Sequence, residues 1–315
     1  MFPDEMLNML IDCDPGIDDA LAIFMVLNFL NNSNLNTLPS ITTIGGNATI
    51  EDTTKNTCLL LDFYKKQSMS SLEIDNVKIG IGADRPIEGR FQYAYEFHGE
   101  HGLGIDLSKY NSERTTIPAK NIFSSNDLKK IDVLAIGPLT NIAIAIKNNP
   151  LFRKSISSIT IMGGSINGKG NVTPFAEFNI YNDPVAAEYI FRSEIPTTLI
   201  PLDITEKVYV SKFEMPWLQQ NSNIAKFTNE LISSWFNQDS IHRTQFHFHD
   251  PVALVAYLAP DFFCFEEVSI EVDCSSSKFR GQTELSSKKG NTKLAVDIDS
   301  SKTKRMIYEL LNNYQ

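Results

Sequence analysis

The chain has 315 residues, a length that allows one large α/β domain or two smaller ones. Its 42% hydrophobic and 21% charged residues are typical of an ordinary globular protein. A net charge of −10 argues against a nucleic-acid partner, because phosphate binding depends on Lys and Arg, and favours a neutral or cationic small ligand.

The N-terminal residues and the cysteines bear on location. Residues 1–8 are acidic and lack a cationic segment followed by a long apolar run, so no signal peptide is predicted. No apolar stretch is long enough to span a bilayer, so no membrane contact is expected. Four widely spaced cysteines, Cys13, Cys58, Cys264 and Cys274, form no CxxC pair and indicate neither a zinc site nor a disulfide framework. We therefore expect reduced thiols and a cytoplasmic protein.

Short apolar segments alternate with helical patterns along the first two thirds of the chain. The predicted strands are residues 9–12, 40–44, 131–136, 156–162 and 197–202, and the predicted helices are 18–30, 51–64, 139–147 and 183–191. Because most of these strands are uncharged, both of their faces should be covered. We predict a single α/β domain over residues 1–315, with a mainly parallel, doubly wound (Rossmann-like) sheet flanked by helices and a ligand site beyond the carboxyl ends of its strands.

The pattern weakens from residue 208 onward. Helices are predicted at 227–236, 251–258 and 303–312, and two alternating strands at 268–274 and 293–298. The polar segments 275–278 and 286–292 are typical of surface loops. A mobile flap over the ligand is a further expectation for about residues 205–248.

The turn after the first strand is crowded with Asp12, Asp14, Asp18 and Asp19. Like charges at this density need a cation, hydrogen-bond donors or protonation, so the turn indicates a hard-metal or acid–base site. Helix N-terminal chemistry could account for Asp18 and Asp19 alone. An EF-hand is excluded, because Ile17 occupies the position that needs glycine.

Two motifs suggest phosphate chemistry without completing it. The segment 163–169 satisfies G-x-x-x-x-G-K, but Gly170 replaces the magnesium-binding Ser or Thr, so a nucleotide triphosphate site is not predicted. The Asp12 and Asp14 pair is similar to the nucleophile motif of haloacid-dehalogenase-type phosphatases, except that Pro15 and Gly16 follow it. That phosphatase remains an alternative.

The five histidines form two clusters, His98 with His101, and His242 with His247 and His249. Histidines beside glycines and an aspartate are candidates for acid–base roles. The next residues, Asp250 and Pro251, are typical of a helix N-cap followed by proline at the first helical position.

Asp183 and Pro184 form the same N-cap pattern, and nothing in the sequence assigns Asp183 a further role. Glu177 and Asn179 would share one side of an extended segment, where a carboxylate and an amide suit the vicinal hydroxyls of a sugar. Asn47 follows two glycines and could be a ligand-binding residue or simply a turn residue, because Asn tolerates a left-handed backbone.

Together these segments resemble the nucleoside hydrolases, the inosine–uridine-preferring family of N-ribohydrolases. The matching segments are DCDPGIDDA at 12–20, GGN at 45–47, HGEHGLG at 98–104, GPLTN at 137–141, MGG at 162–164, NVTPFAEFN at 171–179 and HDP at 249–251. They occur in family order over most of the chain. The resemblance implies calcium-dependent hydrolysis of the N-glycosidic bond of ribonucleosides to free base and ribose, and a homodimer or homotetramer.

The resemblance also implies the site residues. Calcium would be held by the side chains of Asp14, Asp19 and Asp250 and by the main-chain carbonyl of Thr140, and Asp14 would be the general base. Ribose would be bound by Asp18, Asn47, Asn171, Glu177, Asn179 and Asp250, with Met162 lining the sugar pocket.

Protonation of the leaving base is assigned first to His249 and second to His98, with His247 in a supporting role. In purine-restricted members of the family that this chain resembles, a Trp stands at the position of His249. The histidine at this position therefore favours the broader inosine–uridine type. Trp217 and Trp235 are interpreted as packing residues. A non-catalytic, calcium-dependent nucleoside or ribose binder is the other alternative.

Overall fold

The computed structural model describes residues 8–312 except positions 34, 36, 69, 100, 106–110, 126–129, 215, 220, 238–242 and 289. The strands are β1 (Met9–Cys13), β2 (Ser40–Thr43), β3 (Ile79–Ile81), β4 (Thr116–Pro118), β5 (Ile131–Ala135), β6 (Ile156–Met162), β7 (Thr197–Ile200), β8 (Tyr209–Ser211), β9 (Gln245–His247), β10 (Phe263–Val272), β11 (Thr283–Ser286) and β12 (Thr292–Ile298).

The helices are α1 (Ile17–Asn32), α2 (Ile50–Gln67), α3 (Tyr95–His98), α4 (Ala119–Phe123), α5 (Thr140–Asn148), α6 (Pro150–Ser155), α7 (Phe178–Asn182), α8 (Pro184–Phe191), α9 (Leu202–Thr205), α10 (Asn223–Asn237), α11 (His249–Leu258) and α12 (Ser300–Asn312). Among the described residues, no helix is both long and apolar enough to cross a membrane.

The strands of the main sheet run in the order β11-β10-β12-β7-β6-β5-β1-β2-β3-β4. Pairing is parallel from β12 to β4, and β10 is antiparallel to both β12 and β11. β8 and β9 form a separate antiparallel pair within residues 205–248. The predicted single-domain, mainly parallel, doubly wound α/β fold is confirmed.

Alternation along β1 shows how the two faces are covered. Met9, Ile11 and Cys13 belong to the core cluster beneath α1 and α11, whereas Leu10 belongs to the cluster beneath α5 and α8. A strand buried on both faces needs apolar residues at nearly every position, which explains the uncharged segments in the sequence. Asp12 is the exception within β1 and shares the face of Leu10.

Some predicted boundaries are wrong. The predicted strand 268–274 corresponds to the second half of β10, which begins at Phe263. The first half of β10 pairs with β12, and the second half pairs with β11. The short strands β3, β4, β8, β9 and β11 were not predicted, because three or four residues show no measurable periodicity.

The order of the central strands creates a crevice. After β1 the chain builds outward through β2, β3 and β4, and then returns to place β5 on the other side of β1. The connections that leave β1 and β5 therefore diverge at the carboxyl edge, which is where open α/β sheets bind ligands.

Candidate active site

A cavity of about 270 Å³ opens above the carboxyl ends of the central strands. Nine of the expected residues line it: Asp18, Asn47, His98, Met162, Asn171, Glu177, Asn179, His249 and Asp250. The other three, Asp14, Asp19 and Thr140, are fully buried and do not line it. The fold therefore brings residues from six of the seven matching segments to the carboxyl ends of the strands.

The floor of the cavity is acidic. Single oxygens of Asp18, Asp19 and Asp250 all lie within 4.8 Å of one another. Asp18, which the resemblance assigns to ribose, is thus part of the carboxylate group that could hold a cation, whereas Asp14 is not part of it. Asp250 lies in the first turn of α11, which begins at His249, so the prediction that Asp250 is the N-cap is wrong.

Hydrogen bonds fix the orientation of Asp14 and Asp19. Asp19 accepts from the backbone N–H of Asp14 through Oδ1 at 3.1 Å and from that of Gly16 through Oδ2 at 2.9 Å. Asn47 donates its backbone N–H to Asp14 Oδ2 at 2.7 Å and its side-chain amide to Asp19 Oδ2 at 3.1 Å. A Cβ atom at Gly46 would lie 2.1 Å from Asp14 Oδ2, so the second glycine of the GGN segment makes this close approach possible.

Burial dominates the electrostatics of this floor. It raises the pKa of Asp14 and of Asp250 well above the usual value, with like charges adding to the effect. Burial also raises the pKa of Asp18 to about 6 and that of Asp19 to about 7. A divalent cation would offset this repulsion and let the group stay ionised.

The donor set fits a hard cation. Asp14 Oδ1 is buried and has no hydrogen-bond partner among the described residues, which leaves it available as a ligand. The clustered ligand atoms of Asp18, Asp19 and Asp250 are all carboxylate oxygens, which Ca²⁺ and Mg²⁺ prefer.

Asp12 is excluded from the cavity by the pleat of β1. It lies on the opposite face from Cys13, where the Thr42 hydroxyl and the Asn141 amide both donate to its Oδ1. Burial raises its pKa to about 7. Because the Asp12 side chain lies on the far side of β1 and is held there by Thr42 and Asn141, it cannot attack a phosphate in the cavity, and the phosphatase alternative loses its nucleophile.

Glu177 and Asn179 reach the cavity by a different backbone from the one predicted. The expected extended segment is wrong: α7 begins at Phe178, and Glu177 is its N-cap. Its carboxylate accepts from the backbone N–H groups of Asn179, Ile180 and Gly164 at 2.9, 3.1 and 2.9 Å. Burial nevertheless raises the pKa of Glu177 to about 7.

Asn179, Asn171 and Met162 form one wall of the cavity together with Glu177. Asn179 Nδ2 donates to the backbone carbonyls of Ile136 and Met162 at 3.0 and 3.2 Å, so its Oδ1 remains for a ligand hydroxyl. Asn171 lines the same wall, and its Oδ1 accepts from the backbone N–H of Phe178 at 2.8 Å. The wall therefore combines acceptors with one apolar surface.

His98 has a defined tautomer. Its Nδ1 accepts the backbone N–H of Ile17 at 3.1 Å, so the neutral ring carries its proton on Nε2. Burial and the charge of Arg243 lower its pKa to about 4. Its cluster partner His101 does not line the cavity and contacts Asp52 at 3.2 Å.

His249 lies on the other side, next to Asp250. Its Nδ1 is 2.8 Å from the Thr205 hydroxyl, and burial lowers its pKa to about 3. His247 packs its ring against that of His249 at a centroid distance of 5.8 Å, and its Nδ1 donates to the Glu206 carbonyl. His242 lies outside the described residues.

An aromatic wall closes the cavity opposite the strand ends. Phe97, Trp235 and Phe246 line it, and Trp235 also packs edge-on against Phe236 and Phe246, in keeping with its interpretation as a packing residue. The Arg243 guanidinium lies 4.7 Å from the Trp235 ring centroid and 5.1 Å from that of Phe97, which ties α10 to α3. Trp217 is buried, stacks on Phe236 and is a packing residue as predicted.

The glycine-rich segment 163–169 does not cradle a phosphate. The backbone N–H groups of Ile166 and Asn167 donate to the two carboxylate oxygens of Asp203, at 2.8 and 3.1 Å. An internal carboxylate thus occupies the position that a phosphate would need, which supports the exclusion of a nucleotide triphosphate site.

Comparisons with known proteins agree with this geometry. The family model described as inosine-uridine preferring nucleoside hydrolase matches residues 9–305. The non-specific ribonucleoside hydrolase RihC of Escherichia coli (strain SE11) is 31% identical over 316 residues, which cover 97% of this chain and 98% of the relative.

Two solved structures are similar over nearly the whole fold. A plant nucleoside hydrolase, the PpNRh1 enzyme, has a TM-score of 0.84 at 27% identity, covering 98% of this chain and 99% of that one. The purine-preferring ribonucleoside hydrolase from Gardnerella vaginalis has a TM-score of 0.84 at 25% identity, covering 97% and 98%. Because the family model matches nearly the full length of this chain, the chain belongs to the inosine-uridine preferring nucleoside hydrolase family.

Proposed function

We propose that the protein is a calcium-dependent hydrolase that splits ribonucleosides into free base and ribose, with a preference for inosine and uridine or a broad range of bases. One observation carries the proposal most directly. The buried Asp14 has an unpartnered oxygen among the described residues and lies beside Asp19, which belongs to the carboxylate group of a cavity whose walls offer acceptors for hydroxyls. Ribonucleoside hydrolysis itself follows from family membership.

Asp14, Asp19, Asp250 and the main-chain carbonyl of Thr140 would hold the calcium ion. When bound, the ion supplies charge compensation for the carboxylates and lowers the pKa of water at the site. Asp14 is the proposed general base, because its Oδ2 is held by Asn47 while its Oδ1 has no partner among the described residues. The net-acidic floor also favours the positive charge that develops on the sugar as the bond breaks.

Ribose would be recognised by Asp18, Asn47, Asn171, Glu177, Asn179 and Asp250, against the side chain of Met162. The Glu177 carboxylate is already held by three backbone N–H groups, so it can accept from a ribose hydroxyl without moving. Preorganisation of this kind lowers the cost of holding the reacting geometry.

The leaving base would be met by His249, with His98 as the second candidate. Both are neutral at neutral pH, because burial lowers the pKa of each. A neutral His249 donates from Nε2 when the Thr205 hydroxyl donates to its Nδ1, and this is the arrangement that the proposed role requires.

The range of bases is supported by two features. His249 occupies the position at which purine-restricted members are expected to have a tryptophan. The relative RihC, which is 31% identical to this chain, is named as a non-specific ribonucleoside hydrolase. Trp235 and Phe97 offer flat apolar surfaces that suit any base. The mobile flap over about residues 205–248 and the homodimer or homotetramer remain predictions.

A substrate panel tests the function. We expect ribose release from inosine and uridine, and no phosphate release from p-nitrophenyl phosphate. Saturable binding of inosine without ribose release would instead favour the calcium-dependent binder. Phosphate release without ribose release would contradict the proposal outright.

Calcium should stabilise the fold, because it binds the native carboxylate group and not the unfolded chain. At a free Ca²⁺ concentration a hundredfold above the dissociation constant, we expect the free energy of unfolding to rise by about 2.7 kcal/mol over the EDTA-treated protein. Urea unfolding with and without Ca²⁺ measures this difference. Equal stability in Ca²⁺ and EDTA would contradict the proposed metal site.

A further inference from the structure

Asp183 does more than cap a helix. It is 1% exposed at the junction of α7 and α8, and its Oδ1 accepts from the backbone N–H of Ala186 at 3.0 Å, the ordinary capping bond. Its Oδ2 accepts from the Thr140 hydroxyl at 2.6 Å and from the backbone N–H of Ile87 at 2.8 Å. Capping of α8 does not account for these two bonds.

The bond to Thr140 reaches the residue whose main-chain carbonyl is a proposed calcium ligand. Thr140 is fully buried and is the first residue of α5, directly beyond the carboxyl end of β5. A bond from its hydroxyl to a charged acceptor is strong and fixes its side chain, and with it the first turn of α5. Asp183 therefore fixes the start of α5, where the main-chain carbonyl of Thr140 is the proposed calcium ligand.

The bond to Ile87 reaches the opposite wall. Ile87 lies in the segment 82–94, which connects β3 to α3 and so delivers His98 to the cavity. The neighbouring Asn182 holds the same segment further along, accepting from the backbone N–H of Gln92 at 2.7 Å and donating to its carbonyl at 3.3 Å. The backbone N–H of Ala94 then donates to the carbonyl of Asn47 at 3.2 Å.

We propose that Asp183 is a positioning residue that couples Thr140, on the cation side of the cavity, to the segment that carries His98, on the substrate side. It touches neither substrate nor cation. The Asp183 carboxylate fixes the position of both Thr140 and the segment 82–94, so a change at Asp183 alters both positions together. The coupling to the cation rests on the proposed calcium site.

Asp183→Asn tests this with almost no change of shape. Oδ1 can still cap α8, but the new amide N–H₂ faces the backbone N–H of Ile87, where two donors meet and no bond forms. The Thr140 hydroxyl must turn to accept from the amide and so exchanges a charged acceptor for a weaker, neutral bond. We expect Ca²⁺ binding to weaken about 10- to 100-fold, measured by calorimetry on the metal-free protein. We also expect faster amide hydrogen exchange across the segment 82–94.

Asp299→Asn is the matched control. Asp299 precedes α12 and accepts from the backbone N–H of Lys302 at 3.0 Å, so the substitution makes the same change at a helix N-terminus away from the cavity. We expect wild-type Ca²⁺ affinity and wild-type exchange in 82–94. If Asp183→Asn does not fold, Thr140→Val removes the same hydroxyl bond and keeps the cap, and it should weaken Ca²⁺ binding in the same direction.

The outcomes separate the inference from the function. If the wild-type protein binds no Ca²⁺, the proposed metal dependence fails, and hydrogen exchange alone decides whether Asp183 holds the segment 82–94. If the wild-type protein binds Ca²⁺, the coupling is overturned by an unchanged Ca²⁺ affinity or an unchanged exchange rate in Asp183→Asn.

Discussion

Asp14→Asn should lower ribose release from inosine by about 10³- to 10⁴-fold, the upper range for loss of a positioned base. The amide keeps the shape of the carboxylate but cannot take a proton, and it is a weaker cation ligand. Its acceptor oxygen can still receive the backbone N–H of Asn47, as Asp14 Oδ2 does at 2.7 Å. The fold should therefore survive, and steady-state assays of ribose release measure the loss.

Asp132→Asn provides the control for this change. Asp132 is the second residue of β5, toward the amino end of the sheet, where it accepts from Ser158 and from the Tyr257 hydroxyl at 3.0 Å. We expect wild-type turnover from this variant and thermal unfolding of both variants within a few degrees of wild type. Near-wild-type turnover by Asp14→Asn would remove Asp14 as the base.

The central strands were predictable because both of their faces are buried. In β1 and β5 nearly every residue is apolar, and such runs between helical patterns have few alternatives. The last two strands on one side of the sheet, β3 and the edge strand β4, are three residues long and include exposed or half-buried positions. Their pairing depends on neighbours distant in sequence, which no local pattern records.

The same contrast holds at the site. Asp14, Asp18 and Asn47 follow strand ends, so the topology alone predicts that they converge. Asp183 and Trp235 were not recognised, because an N-cap and a helix aromatic each have a sufficient local explanation. The second contact of Asp183 is with Thr140, and Trp235 meets Phe97 through Arg243. Both Thr140 and Phe97 are far from their partners in sequence, so only the folded chain reveals these contacts.

The role of His249 can be separated from general packing by changing the leaving group. His249→Ala should lower turnover of inosine by about 10²-fold, because the departing purine needs a proton or hydrogen-bond donor. With p-nitrophenyl riboside the loss should be below about tenfold, since that leaving group departs without a proton. Measurement of kcat for both substrates gives the ratio that isolates the donor role.

His101→Ala is the matched histidine control, because His101 does not line the cavity and its ring contacts the Asp52 carboxylate. Wild-type turnover of both substrates is expected from it. If His249→Ala lost the same factor with inosine and with p-nitrophenyl riboside, His249 would be a structural neighbour of Asp250. Donation would then pass to His98, whose proton already lies on Nε2 because Nδ1 accepts the backbone N–H of Ile17.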